Sequence, residues 1–265
     1  MNGRIKIYSK ANMLDQYSKM SLVLIITVLL SLVFNNSYIL GEFIMKKVQL
    51  DSVISFIPGF AVKTLFFTLL GFLSYIFLMP FSFGRDIWFY ENAKKNRQKL
   101  KNLFSFYKSG RIFPSIKFLF LLRLKKFFIT FLFMIPALTL GGYLVYSLNE
   151  GTGRKMLTVI VLSIILLAGC AAFFSFVFSQ RYFLAQYIFY ENDFCRVKDA
   201  VKLSCAVMEN RCFETAMLKL SFIGWIALCV FVFPAGYVYP YYKISISIKA
   251  ISLLVNTKAT SENNT

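Results

Sequence analysis

Residues 156–179 read MLTVIVLSIILLAGCAAFFSFVFS, 24 positions without one charged side chain. At 1.5 Å per residue a helix of that length measures about 36 Å, enough to cross the roughly 30 Å hydrocarbon layer of a bilayer. Hydrocarbon offers a backbone no hydrogen-bond partner, so such a run must satisfy its own amides as a helix. The composition extends this reading to the whole chain. Of 265 residues, 58% are hydrophobic, 18% aromatic and only 16% charged. A soluble domain is usually about 45–50% apolar and about 25% charged, and one core cannot hide the excess seen here.

Working outward, the same criterion marks a series of spans. Residues 21–40 hold SLVLIITVLLSLVF after a basic start with Arg4, Lys6, Lys10 and Lys19. That layout also describes a signal peptide, but the run ends in Asn35-Asn36-Ser37-Tyr38, without a small-x-small cleavage site, and is read as a retained helix. Residues 62–84 follow a turn at Phe56-Ile57-Pro58-Gly59, and residues 127–148 contain Pro136 and Gly141-Gly142. After 156–179 comes 217–233, closed by a break at Pro234-Ala235-Gly236. The last segment, 237–255, carries Lys243 and Lys249, and its KISISI alternates like a strand. A lone strand in lipid leaves its backbone unsatisfied, so a helix is expected, spanning rather than lying on the surface. The fold class is therefore all-α: a polytopic transmembrane bundle of six helices in one membrane domain, 1–265.

Orientation follows from Lys and Arg. The 30 Lys and Arg against 12 Asp and Glu give a net charge of +18. In a soluble chain that balance would point to nucleic acid. Here the basic residues stand between apolar runs, which is how cytoplasmic loops of membrane proteins are built, and no nucleic-acid partner is expected. The loop 85–126 is densely basic, whereas the opposite side offers only Lys46 and Lys47 in one loop and Arg154 and Lys155 in another. Loops 85–126 and 180–216 and the N-terminus are thus placed in the cytoplasm, with the protein in the plasma membrane.

Chemistry is limited by what the chain lacks. It has no histidine, which removes Ser-His-Asp and Cys-His catalysis and every His-ligated metal site. Cys170, Cys195, Cys205, Cys212 and Cys229 form no C-x-x-C pair and are read as free thiols. Asp and Glu are scattered outside the spans, without G-x-S-x-G or H-E-x-x-H. No catalytic residue, metal or cofactor is expected.

Two loop features stand out. In the basic loop, Leu100, Leu103, Phe104 and Tyr107 recur at i, i+3, i+4, i+7, with Lys94, Lys95, Arg97, Lys99 and Lys101 around them. That pattern predicts a helix lying in the headgroup plane, its five cations contacting anionic lipid. Val197, Ala200, Val201, Ser204 and Met208 make a milder face, expected to lie against the bundle. The two loops also resemble each other at an offset of 100 residues. Phe89-Tyr90-Glu91-Asn92 recurs as Phe189-Tyr190-Glu191-Asn192, and Phe83, Leu103, Arg111 and Phe113 match Phe183, Leu203, Arg211 and Phe213. Parallel repeats would place Glu91, Glu191, Arg111 and Arg211 at a shared interface.

From Tyr182 onward the order Tyr182–Ile188, Ala200–Ser204, Met208–Arg211, Leu220-Ser221-Phe222-Ile223-Gly224-Trp225 and Pro240-Tyr241 resembles a bacterial family of multi-spanning membrane proteins, domain of unknown function 975. The chain departs from the family pattern at Glu209-Asn210 and at Ala250-Ile251-Ser252. The resemblance implies a six-helix bacterial plasma-membrane protein and no known activity.

Three function classes remain. The first is a non-enzymatic membrane protein, either a transporter-like bundle or an accessory to an envelope or secretion system. The second is a scaffold whose basic loop binds anionic lipid or a partner's acidic segment, the protein partner being unspecified. The third is an intramembrane lipid-acting enzyme, for which the only acid pair would be Glu91 with Glu191. Pro80, Pro136 and Pro234 suit kinked helices. The first five spans lack mid-span charge, which argues against an ion-coupled carrier.

Overall fold

The computed structural model describes residues 2–35, 59–108, 110–150, 153–229 and 232–262, and those residues are helical in every regular element. In chain order they form α1 (Asn2–Leu14), α2 (Tyr17–Asn35), α3 (Gly59–Ala93), a 3-10 segment (Leu100–Tyr107), α4 (Ile112–Asn149), α5 (Arg154–Ser179), a 3-10 turn (Gln180–Tyr182), α6 (Ala185–Glu191), α7 (Val197–Val207), α8 (Cys212–Leu220), α9 (Ile223–Leu228) and α10 (Val232–Glu262). The expected turn at 56–59 and the loop with Lys46 and Lys47 fall outside the described residues, apart from Gly59 at the start of α3.

Four stretches are long and apolar enough to cross a membrane: Tyr17–Phe34, Thr64–Ala93, Ile112–Asn149 and Lys155–Glu191. The last two contain the expected spans 127–148 and 156–179, and the first two overlap 21–40 and 62–84, of which 36–40 fall outside the described residues. Their large side chains face outward, with Leu65 72%, Leu132 66%, Leu162 67% and Ile165 64% exposed. A protein in water rarely tolerates so continuous an apolar exterior, and hydrocarbon accepts it without cost.

The other two expected spans differ. Of the expected span 217–233, residues 217–228 are divided between α8 and α9 by a turn at Ser221-Phe222, and neither helix reaches spanning length. Ser221 and Gly224 are weak helix formers within four positions, which is where the helix gives way. The Pro234 break is also absent, because Pro234 sits in the first turn of α10, where its missing N–H is not needed. Residues 237–255 lie within α10 as helix, not strand. Its lysines and serines lower its hydropathy, yet Ile244, Ser245, Lys249 and Ala250 are completely buried. The Ser245 and Ser247 hydroxyls donate to the Tyr241 and Lys243 carbonyls, at 2.8 and 2.9 Å. Such a helix is shielded by protein rather than by lipid, so its sequence need not be oily.

The chain divides into two compact units, one of Met1–Lys117 with Gly224–Ile251 and one of Phe118–Ile223 with Ser252–Thr265. In the first, Met13, Met20, Val23, Phe81, Trp88, Phe89, Ala93, Leu103 and Ile244 form a buried core. After α3 the chain doubles back along it. Trp88 Nε1 donates to the Lys99 carbonyl at 3.2 Å, the Phe81 and Phe104 rings lie 5.6 Å apart, and Tyr107 donates to the Phe77 carbonyl at 2.7 Å. Between these points Gly84 faces the Leu103 backbone so closely that a Cβ would stand 2.2 Å from its carbonyl oxygen.

This return strap corrects the expected α-helical face of Leu100, Leu103, Phe104 and Tyr107. The segment is a 3-10 helix, in which positions i and i+3 eclipse. Leu103 and Phe106 are therefore the buried pair, at 0% and 1%, while Phe104 is 43% exposed. The apolar face lies on α3 instead of being offered to headgroups.

In the second unit the Phe118 and Phe189 rings stack at 4.3 Å. Lys219 Nζ donates to Gln180 Oε1 at 2.7 Å and lies over the Phe183 ring. Ala200, Val201, Ser204 and Met208 are buried, the face expected of α7.

Candidate functional site

Both Phe-Tyr-Glu-Asn copies stop a helix. Glu91-Asn92 lies in the last turn of α3, which ends at Ala93, and Glu191 ends α6. Asn96 N–H donates to the Glu91 carbonyl and Lys95 N–H to that of Asn92, a Schellman-type closure that puts Lys95 in the left-handed region at φ 64°. Phe194 N–H donates to the Phe189 carbonyl in the second copy, with Asp193 and Phe194 left-handed. The likeness at the 100-residue offset extends to burial. Gly110 and Asn210 are both left-handed, at φ 87° and 60°. Arg111 and Arg211 directly precede α4 and α8, Ser115 and Thr215 are fully buried four positions later, and Phe113 and Phe213 are exposed. Leu103 and Leu203 break the rule, one buried and one 49% exposed. Glu91 and Arg111 belong to the first unit, Glu191 and Arg211 to the second.

The five loop cations do not act as one patch. Lys94 pairs with Glu91 at 3.6 Å and lies over the Tyr90 ring. Lys99 contributes its carbonyl to Trp88, and Lys101 points to solvent. Lys95 and Arg97 instead line a cavity of about 610 Å³ with Asn12, Asp15, Gln16 and Asn92. Asn12 donates to the Ala93 carbonyl at 3.3 Å, holding α1 against the end of α3. Asn92 donates to Trp88 O and accepts from Gln98 N–H, which fixes the strap's departure. Arg97 meets Asp15 at 2.9 Å, both well exposed, a contact worth little by itself. Among the described residues no carboxylate is within ion-pair distance of Lys95, and the buried Gln16 Oε1 has no hydrogen-bond partner. The cavity thus combines cations with carboxamides, which suits a phosphate-bearing group with hydroxyls. The wall made by α1 and by Asp15 and Gln16 in the turn after it is, in the sequence, only a basic start; nothing in its composition signals the docking.

A second charged cluster was not anticipated. Lys243 Nζ lies 2.8 Å from Asp86 Oδ1, and Arg85 Nε lies 3.2 Å from the same oxygen. All three side chains are at most 20% exposed. In the sequence Arg85 and Asp86 fall in the basic loop 85–126 and Lys243 in the last segment. Two opposite charges in separate apolar helices are the signal that could have joined them.

Outside the spans, burial pushes Tyr107 up to about 12. Burial also raises the Cys205 and Cys212 thiols, opposed by the nearby Arg181 charge. Among the described residues no group of His, Cys, Asp and Glu is placed to hold a metal ion.

A family model described as "Protein of unknown function (DUF975)" matches residues 5–261, far more than the C-terminal third that carries the recognisable motifs. No curated protein and no solved structure shows significant similarity to the chain.

Proposed function

The chain belongs to the DUF975 family, and from that premise we propose that it is a non-enzymatic, multi-span plasma-membrane protein whose cytoplasmic end binds anionic lipid headgroups as an envelope accessory or scaffold. The four apolar helices supply the anchor, with α10 as a further, protein-shielded crossing. Net charge +18 and the basic stretch from Arg85 to Lys126 set that end toward the cytoplasm, the N-terminus with it.

The observation that carries the reading is the cavity of Lys95 and Arg97 beside Asn12, Gln16 and Asn92. A lysine held in the left-handed region costs about 1–2 kcal/mol, and local strain of this kind is kept where the surroundings enforce it. Each cation near an anionic surface is worth about 1 kcal/mol. Purified protein in nanodiscs of phosphatidylglycerol should retain that lipid in native mass spectrometry, and Lys95→Ala with Arg97→Ala should release it. Equal retention by the double variant would sink the proposal.

A transport role is the second reading, favoured by the Arg85–Asp86–Lys243 cluster between α3 and α10. Buried charge in membrane helices commonly marks a substrate or ion path. Flux of a solute across proteoliposomes that Asp86→Asn abolishes, with the protein still folded, would decide for it.

A further inference from the structure

We propose a second lipid site, in the other unit, that selects a zwitterionic glycerophospholipid: one with a phosphate and a primary ammonium in its headgroup. It is a cleft of about 320 Å³ at the Arg181 end of α5, lined by Val177, Phe178, Phe213, Arg181, Glu209 and Cys212 among others. That volume is at the small end of ligand cavities, which run from roughly 300 to 1,000 Å³.

Three observations meet there. The first is charge: Arg181 and Glu209 line the same cleft, and among the described residues neither has an ion-pair partner. An unpaired cation accepts phosphate and an unpaired carboxylate accepts ammonium, so the pair is complementary to a ligand that carries both. A lipid with a purely anionic headgroup would satisfy Arg181 and leave Glu209 without a counter-charge. The second is the apolar wall. Phe178 and Phe213 line the cleft and are 42% and 58% exposed, apolar ring surface that acyl chains would cover. The third is position. Val177 and Phe178 stand in the last turn of the charge-free run 156–179 and Arg181 is the first charge after it, so the proposal sets the charges where headgroups begin and the rings where acyl chains begin. The left-handed Asn210, at φ 60°, turns the chain between Glu209 and Phe213 so that both border the cleft.

The inference rests on the membrane-embedded reading above but not on the Lys95–Arg97 cavity. Purified full-length protein carrying Lys95→Ala and Arg97→Ala, which disables the first cavity, is placed in nanodiscs of phosphatidylglycerol with or without phosphatidylethanolamine, and retained lipid is read by native mass spectrometry. Phosphatidylethanolamine should be retained over phosphatidylglycerol by about tenfold or more, the effect of one charge-assisted contact. Glu209→Gln should remove that preference while lipid is still held, and Arg181→Gln should lose retention of both. Both side chains are exposed, so folding is not at stake. An independent readout is maleimide labelling of Cys212, the other cysteines replaced by serine, which phosphatidylethanolamine should slow. Equal retention of the two lipids, or variants that behave as wild type, would overturn the site. Saturation by free phosphoethanolamine at the same concentration as the lipid would overturn the lipid assignment. Carbonate extraction of the native protein tests the membrane reading separately.

Discussion

Gly84 lies where α3 and the returning 3-10 strap touch backbone to backbone, and Gly84→Ala separates two opposing effects. Within a helix, alanine is favoured over glycine by about 0.8–1 kcal/mol. Against this, the new Cβ would stand 2.2 Å from Leu103 O, 3.3 Å from Leu103 C and 3.2 Å from a Phe106 ring carbon. Real Cβ contacts essentially never fall under 3.0 Å. The strap must therefore recede by roughly 0.8 Å, and a gap of about that size forfeits a quarter to a half of each contact's attraction. Leu103 and Phe106, both fully buried, are the side chains that lose it. Overpacking of this kind costs about 1–3 kcal/mol, so after the helix gain the net loss is about 0–2 kcal/mol, which is about 1–3 kcal/mol below a glycine-to-alanine change that meets no contact. Thermal unfolding in detergent gives the first readout. Trypsin gives the second, because Lys99, Lys101 and Lys108 flank or lie in the strap and become cleavable if it lifts. Gly169→Ala is the control, since nothing lies within 4 Å of its Cβ position. If Gly84→Ala were as stable as Gly169→Ala and equally resistant to trypsin, the strap would not lie on α3 as described.

Removing Asp86 should be costly: Asp86→Ala leaves Lys243 and Arg85 buried as like charges, and loss of one partner of a buried pair costs about 3–5 kcal/mol. Adding Lys243→Ala should recover part of that loss, and strict additivity of the two changes would refute the coupling. Tyr107 ties stability to alkaline pH. Its folded value of about 12 lies above its ordinary 10.0, so its contribution is complete below pH 10 and fades as pH rises toward 12; Tyr107→Phe should flatten that limb of a pH–stability curve. The Cys205 and Cys212 thiols, raised by burial, hold less thiolate at neutral pH than free cysteine and should alkylate more slowly than a small thiol, catching up as pH rises. Asn12→Ala removes the hydrogen bond that ties α1 to Ala93, and should raise hydrogen exchange across 2–14 while leaving α5 unchanged.

The parts of the fold legible in the sequence are those where lipid sets the rule. Outward-facing Leu132, Leu162 and Ile165 had to be apolar, so the first four spans could be located by hydropathy. α10 obeys a different rule. Its surroundings are protein, so Ser245 and Ser247 can return their hydroxyls to the helix backbone and Lys243 can meet Asp86. A helix enclosed in this way loses the oily signature while keeping the position, which is why its composition looked ambiguous and its burial does not.

The site was half legible for a related reason. The cations of the basic loop and the Phe-Tyr-Glu-Asn copies were visible as residue types, and both copies do end helices. What could not be read was partition among the cations, because it depends on a turn that the sequence states weakly. Lys95 occupies a left-handed position that glycine or asparagine usually fills, and its neighbours Lys94 and Asn96 are pulled back onto Glu91. That single reversal sends Arg97 toward Asp15, in the turn after α1, and sets the strap on its return along α3. The 3-10 geometry then selects Leu103 and Phe106, spaced by three, over the pair spaced by four that an α-helix would have used. One backbone torsion thus decides both which cations border the cavity and which apolar residues are withdrawn from the membrane surface. On the proposed reading, lipid contact in this region falls to the charges around Lys95 and Arg97, not to an inserted apolar face.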